Sequence, residues 1–192
     1  MKILCYLLIT TACMLAMPAC RTTPNTGPYT PQEQAARNPV RAEGLNARAA
    51  ELMSDDPAKA ESLLREALSA DLYCGPAHNN LGVLYLEQGK LYEAAGEFEW
   101  ARKLLPGHPD PRLNMAITLE RAGQIDEAIA SYHTALEVYP DHLPTVKALA
   151  RCQLRNNRTD TDTPHLLELI AMRGDEQWRE WARTQLMDTP NP

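Results

Sequence analysis

Residues 81–106 read LGVLYLEQGKLYEAAGEFEWARKLLP, and residues 115–140 read MAITLERAGQIDEAIASYHTALEVYP. At an offset of 34 residues these stretches and their flanks agree at Asn80 and Asn114, Gly89 and Gly123, Glu93 and Glu127, and Ala94 and Ala128. They agree again at Ala101 and Ala135, Pro106 and Pro140, and His108 and His142. Conservative pairs fill the gaps: Leu81/Met115, Gly82/Ala116, Tyr85/Leu119, Leu91/Ile125 and Phe98/Tyr132. Self-similarity at this period marks a chain built from repeated helical units. Gly82 and Ala116 are small where two helices of a hairpin cross. Gly89 and Gly123 end the first helix in a left-handed conformation that costs glycine nothing. Ala94, Ala101 and their equivalents let the second helix approach its neighbours, with Phe98 and Tyr132 filling the space between. Pro106 and Pro140 stop the second helix.

The first unit, Leu81-Gly82-x2-Tyr85…Ala94-x3-Phe98-x2-Ala101…Pro106, resembles the tetratricopeptide-repeat signature. The clearest repeats run over 75–108 and 109–142. His78 and Arg112 stand where the family carries Trp, so an aromatic plug is expected to be missing there. The resemblance implies an all-α solenoid of about three to four helical hairpins, with residues 41–188 as the repeat domain and a C-terminal capping helix.

The flanks fit the same unit more loosely. Ala60, Leu64 and Ala67 keep second-helix spacing, Leu72 replaces the proline, and residues 42–53 supply the partner helix. The pair Asp55-Asp56 opens the turn before Pro57, with Asp56 as a helix N-cap. Leu149-Ala150 repeats Met115-Ala116, and Asn157 replaces the turn glycine. A polar insertion over 157–163 then breaks the period. Thr163-Pro164 reads as N-cap and first position of a helix to about residue 172. Asp175 caps a last helix whose Trp178, Trp181, Ala182 and Leu186 form one apolar stripe.

The N-terminus, MKILCYLLITTACMLAMPAC, places Lys2 before an apolar run that is short for a membrane span of about 20 residues. Residues 1–19 are expected to be a signal peptide. Met17-Pro18-Ala19-Cys20 resembles a bacterial lipobox, which implies lipidation of Cys20, with Cys13 the weaker candidate. Arg21 resembles outer-membrane sorting, so the expected location is lipid-anchored at the outer membrane, facing the periplasm. Residues 20–40 are rich in Pro and Thr and poor in large apolar residues, a composition suited to a tether with a reach on the order of 25 Å. The 192-residue chain carries a net charge of −6, with no run of Lys or Arg as a nucleic-acid footprint.

No HExxH, CxxC, phosphate-cradling glycine loop or GxSxG motif is present, and no catalytic residue, metal or cofactor is expected. Cys74, His108 and His142 occupy equivalent sites in successive repeats. Those sites are too far apart to share an ion whose ligands lie about 2.0–2.3 Å from it, so they read as turn residues. Cys74 and Cys152 are expected to remain unpaired.

The inner face of such a solenoid, lined by the first helix of each hairpin, is where function is expected. It presents Asn79, Val83, Leu86 and Glu87, then Leu113, Ile117, Glu120 and Arg121, then Lys147, Arg151, Leu154 and Arg155. The gradient runs from apolar to basic. Chaperone-binding family members use a carboxylate clamp of Lys, Asn, Asn, Lys and Arg; Asn114 matches it, whereas Asn79, Val83, Pro144 and Ala148 do not. The expected partner groove comprises Asn79, Val83, Leu86, Leu113, Asn114, Ile117, Arg121, Lys147 and Arg151, with acidic partner residues meeting Lys147 and Arg151. The resemblance implies a scaffold or assembly adaptor in the cell envelope. A self-associating envelope protein, or an enzyme with an unrecognised site, remains the alternative.

Overall fold

A computed structural model describes residues 37–188 of the chain. The expected signal peptide, Cys20 and most of the tether lie outside the described residues. Nine helices follow one another, and no strand occurs among the described residues: α1 (Pro39–Leu52), α2 (Pro57–Ala70), α3 (Gly75–Glu87), α4 (Leu91–Leu104), α5 (Asp110–Arg121), α6 (Ile125–Val138), α7 (Leu143–Arg155), α8 (Thr163–Arg173) and α9 (Glu176–Asp188). Four hairpins, α1–α2 through α7–α8, make an all-α repeat solenoid, and α9 packs on α8 as the cap. No described helix is long and apolar enough to cross a membrane.

The helix ends explain the segmentation. Asn38, Asp56 and Asp175 each accept a hydrogen bond from the backbone N–H three residues on, satisfying one of the orphan donors at a helix start. Proline stands in the first turn of six helices, where its missing N–H costs nothing. α3, α5 and α7 finish identically. The N–H of Lys90, Gln124 and Arg158 reaches back to the carbonyl of Tyr85, Leu119 and Gln153, through left-handed Gly89, Gly123 and Asn157.

Thr163 departs from the expected N-cap role. It is the first residue of α8, buried, and its hydroxyl accepts from the Asp160 N–H and donates to Gln153 Oε1 at 3.1 Å. The polar insertion is therefore tied back onto α7.

Phe98 and Tyr132 are fully buried between the helices of their hairpins, and an ideal Cβ on Gly82 would lie 2.6 Å from the Phe98 ring. Buried residues group into one cluster within α1–α4 and another within α5–α9, with Ile117 packed against both. The place of the first absent tryptophan, His78, has an aromatic neighbour. Trp100 of α4 stacks on buried His78, ring centroids 5.6 Å apart and planes 12° from parallel. His78 Nδ1 meets Glu97 Oε2 at 2.6 Å and Nε2 meets the Leu72 carbonyl at 2.9 Å. A buried, hydrogen-bonded imidazole with an indole stacked on it thus stands at this position of the repeat.

Candidate functional site

First helices α1, α3, α5 and α7 lie side by side, each touching the next, whereas α2, α4 and α6 touch only the first helices on either side. One face of the solenoid is consequently made of first helices alone. Asparagines stitch it together: Asn80 Nδ2 donates to Asn46 Oδ1 at 2.9 Å, and Asn114 Nδ2 donates to Asn79 Oδ1 at 3.0 Å. These pairs satisfy amides that would otherwise be desolvated in the seams between repeats.

Eight of the nine groove residues expected from sequence divide into three groups. Asn79, Val83, Asn114 and Ile117 are half-buried and form the floor. Leu86 and Leu113 are only 6% and 8% exposed, because they turn into the packing between helices, and offer a partner almost no surface. Arg121 and Arg151 are exposed.

Lys147, the remaining groove residue, is engaged within the fold. Its Nζ lies 3.0 Å from Asp175 Oδ2 and 5.0 Å from the centroid of the Trp178 ring. The hydrogen bond from Lys147 holds the Asp175 carboxyl below the usual carboxylate range. Trp178 stands edge to face with Trp181, centroids 5.1 Å apart, both against the second core cluster. The lysine therefore fastens the C-terminal cap to α7 and is not a free cation.

The basic end of the face closes around a recess of about 400 Å³ between α5 and α7, lined by Ile117, Glu120, Arg121, Ile125, Arg151 and Arg155. Glu120 is already engaged: the Tyr132 hydroxyl donates to Oε2 at 2.8 Å and Arg155 Nη1 stands 3.8 Å from Oε1. Burial, then the Glu120 carboxylate, pushes the Tyr132 hydroxyl far up, so it remains a donor. Arg121 Nη1 donates to the Leu86 carbonyl at 2.9 Å, which orients the guanidinium across the seam between α3 and α5. Beneath the recess Cys152 is fully buried, and that burial pushes its thiol up to about 11. Ile125 was not expected here; its only sequence signal is the apolar match with Leu91.

His108 and His142 both approach Asp110, at 3.5 and 3.4 Å, while Cys74 lies in the first core cluster. Among the described residues no group of three or more His, Cys, Asp or Glu side chains is placed to hold a metal ion.

Family models described as tetratricopeptide repeat match residues 50–109 and 119–161, together more than half of the chain. No curated protein matches it. Among solved structures, the first TPR domain of Spaghetti (RPAP3) bound to an HSP90 peptide is 16% identical, with a TM-score of 0.58 over 62% of this chain and 96% of that one. MamA is 14% identical, TM-score 0.58, over 79% and 84%. An O-GlcNAc transferase mutant from Thermobaculum terrenum is 25% identical, TM-score 0.62, over 74% of this chain but only 26% of the transferase. These likenesses concern the fold.

Proposed function

Because the chain belongs to the tetratricopeptide-repeat family, we propose that it is a protein-interaction scaffold that receives a partner segment on the face formed by α1, α3, α5 and α7. The observation that carries this reading is the continuous first-helix face, which ends in a recess of about 400 Å³ with exposed guanidinium groups. The solved structure of the first TPR domain of Spaghetti (RPAP3), with the HSP90 peptide SRMEEVD, gives a precedent for peptide binding by this fold. A binding role is supported by a recess that presents exposed guanidinium groups and isoleucines around Glu120, a carboxylate already engaged by Tyr132 and approached by Arg155. The sequence Met17-Pro18-Ala19-Cys20 supports a lipid anchor at Cys20, which would hold the scaffold at the outer membrane on its periplasmic side.

Photocrosslinkers placed at Asn79 and Val83, with Tyr92 on α4 as the outward control, test the binding face in cells. Tyr92 is 91% exposed and belongs to a second helix. The expected result is a discrete crosslinked protein from the two groove sites and none from Tyr92. Crosslinks from Tyr92 alone would transfer the function to the outer layer. The anchor is tested separately by incorporation of labelled fatty acid, expected in the native chain and lost in Cys20→Ser. Labelling lost only in Cys13→Ser would place the lipid on the other cysteine.

A further inference from the structure

We infer that the recess between α5 and α7 is the docking point for paired carboxylates on an acidic segment of the protein partner, with an apolar residue of that segment seated on Ile117 and Ile125. This deepens the scaffold reading above and rests on it. Three guanidinium groups face one carboxylate in the recess, a local charge of +2 on a chain whose formal charge is −6. Glu120 cannot neutralise all three. One of its oxygens takes the Tyr132 hydroxyl, and the other lies 3.8 Å from Arg155.

The three arginines are not equivalent. Arg121 and Arg155 sit in the last turns of α5 and α7, where a cation is stabilised by the negative end of the helix dipole, so their presence has a structural reason. Arg151 lies a full turn earlier on α7, is exposed, and forms no ion pair within the described residues. The dipole argument that covers the other two does not reach it.

A planar guanidinium offers a fork of donors that matches a carboxylate in two-point contact. Arg121 uses one nitrogen on the Leu86 carbonyl and keeps its other donors available. The isoleucines give the same recess an apolar wall, which a bare phosphate would leave unused. The chain's overall negative charge opposes a long polyanion such as nucleic acid, whereas a short acidic segment meets only the local positive field. The recess also stands apart from Asn114, whose amide is committed to Asn79.

The test uses the full chain and a short fluorescent peptide of repeated Glu-Glu-Leu, with a Gln-Gln-Leu twin, in anisotropy titrations at low and physiological salt. The Glu peptide is expected to bind about tenfold more tightly than the twin at low salt, with the gap narrowing as salt rises. Arg151→Glu should weaken the Glu peptide by about tenfold, whereas Lys59→Glu, the same charge change on exposed α2, should leave it within about twofold. Equal loss from the two variants, equal binding of the twin peptides, or tighter binding of a single-stranded oligonucleotide would overturn the inference. Circular dichroism melts check that Arg151→Glu folds; if it does not, Arg151→Gln and Arg155→Gln are measured, with the same direction expected. Groove crosslinks that persist unchanged in Arg151→Glu would remove the acidic segment and leave the scaffold standing. Loss of the Asn79 and Val83 crosslinks in the native chain would remove the scaffold itself.

Discussion

Gly89, Gly123 and Asn157 occupy one position in three successive first-helix ends, with φ of 74°, 79° and 52°. Nothing lies within 4 Å of a Cβ built on Gly89, so the demand for glycine there comes from the backbone and not from crowding. Gly89→Ala should therefore cost about 1 kcal/mol, and Asn157→Gly should gain a few tenths, since asparagine tolerates this region less well than glycine. Thermal melts with the two changes in opposite directions would agree; a neutral Gly89→Ala would contradict the turn geometry. Arg37 holds Asp71 through Nε and Nη2 at 2.9 and 3.1 Å. That hydrogen-bonded pair, aided by the Tyr73 N–H and opposed by burial, keeps the carboxyl below its ordinary range. A carboxyl lowered in the folded state contributes stability above its unfolded value of about 4, and loses it as pH falls through the lower folded value. The melting difference between the native chain and Asp71→Asn should thus be largest near neutral pH and shrink below about pH 4.

Gly82 and Gly96, one in each helix of the second hairpin, call for opposite treatment. A Cβ on Gly82 meets the fully buried Phe98 ring, so Gly82→Val should destabilise by about 1–3 kcal/mol. Gly96, inside α4, has nothing within 4 Å of its added Cβ, and Gly96→Ala should gain up to about 1 kcal/mol from helix propensity. A denaturant midpoint that does not fall in Gly82→Val would show that the crossing is looser than described, and one that falls in Gly96→Ala would contradict the open space at that position. The crossing was legible in the sequence because Gly82 and Ala116 share a register with Phe98 and Tyr132. The left-handed turns were legible for a similar reason, extending even to Asn157. Leu86 and Leu113 were not, because whether a first-helix residue faces the groove or the next repeat depends on how far neighbouring helices rotate, and neighbouring positions differ by about 100° around the axis. Lys147 was hidden by distance: its partner Asp175 is 28 residues further on, beyond an insertion that breaks the period. Trp100 was likewise invisible as the companion of His78, since it comes from the other helix of the hairpin and has no counterpart in the next repeat, where Thr134 stands.

Across the whole molecule the buried side chains form two clusters, divided between α1–α4 and α5–α9 and joined at Ile117. In a linear stack, stability is set by each unit and by its interface with the next, so damage should remain largely local. Leu64→Ala empties a fully buried site in the first cluster, at a cost of about 2–5 kcal/mol. Hydrogen exchange should then show lost protection through α1–α4 and much smaller change in α7–α9. Equal loss everywhere would reveal one cooperative block in place of two.

No described helix touches another more than two places along the chain, so among the described residues no helix fastens the early hairpins to the late ones. Under tension such a stack has no clasp that must break before the rest can yield. Drawn from its two ends, the domain should lengthen in successive small events, each releasing about 120 Å of contour for a 34-residue unit. The same lack of a clasp lets an early hairpin re-form behind the point of pull while later ones remain open. A scaffold held at one end and loaded by its partner at the other would give way by degrees.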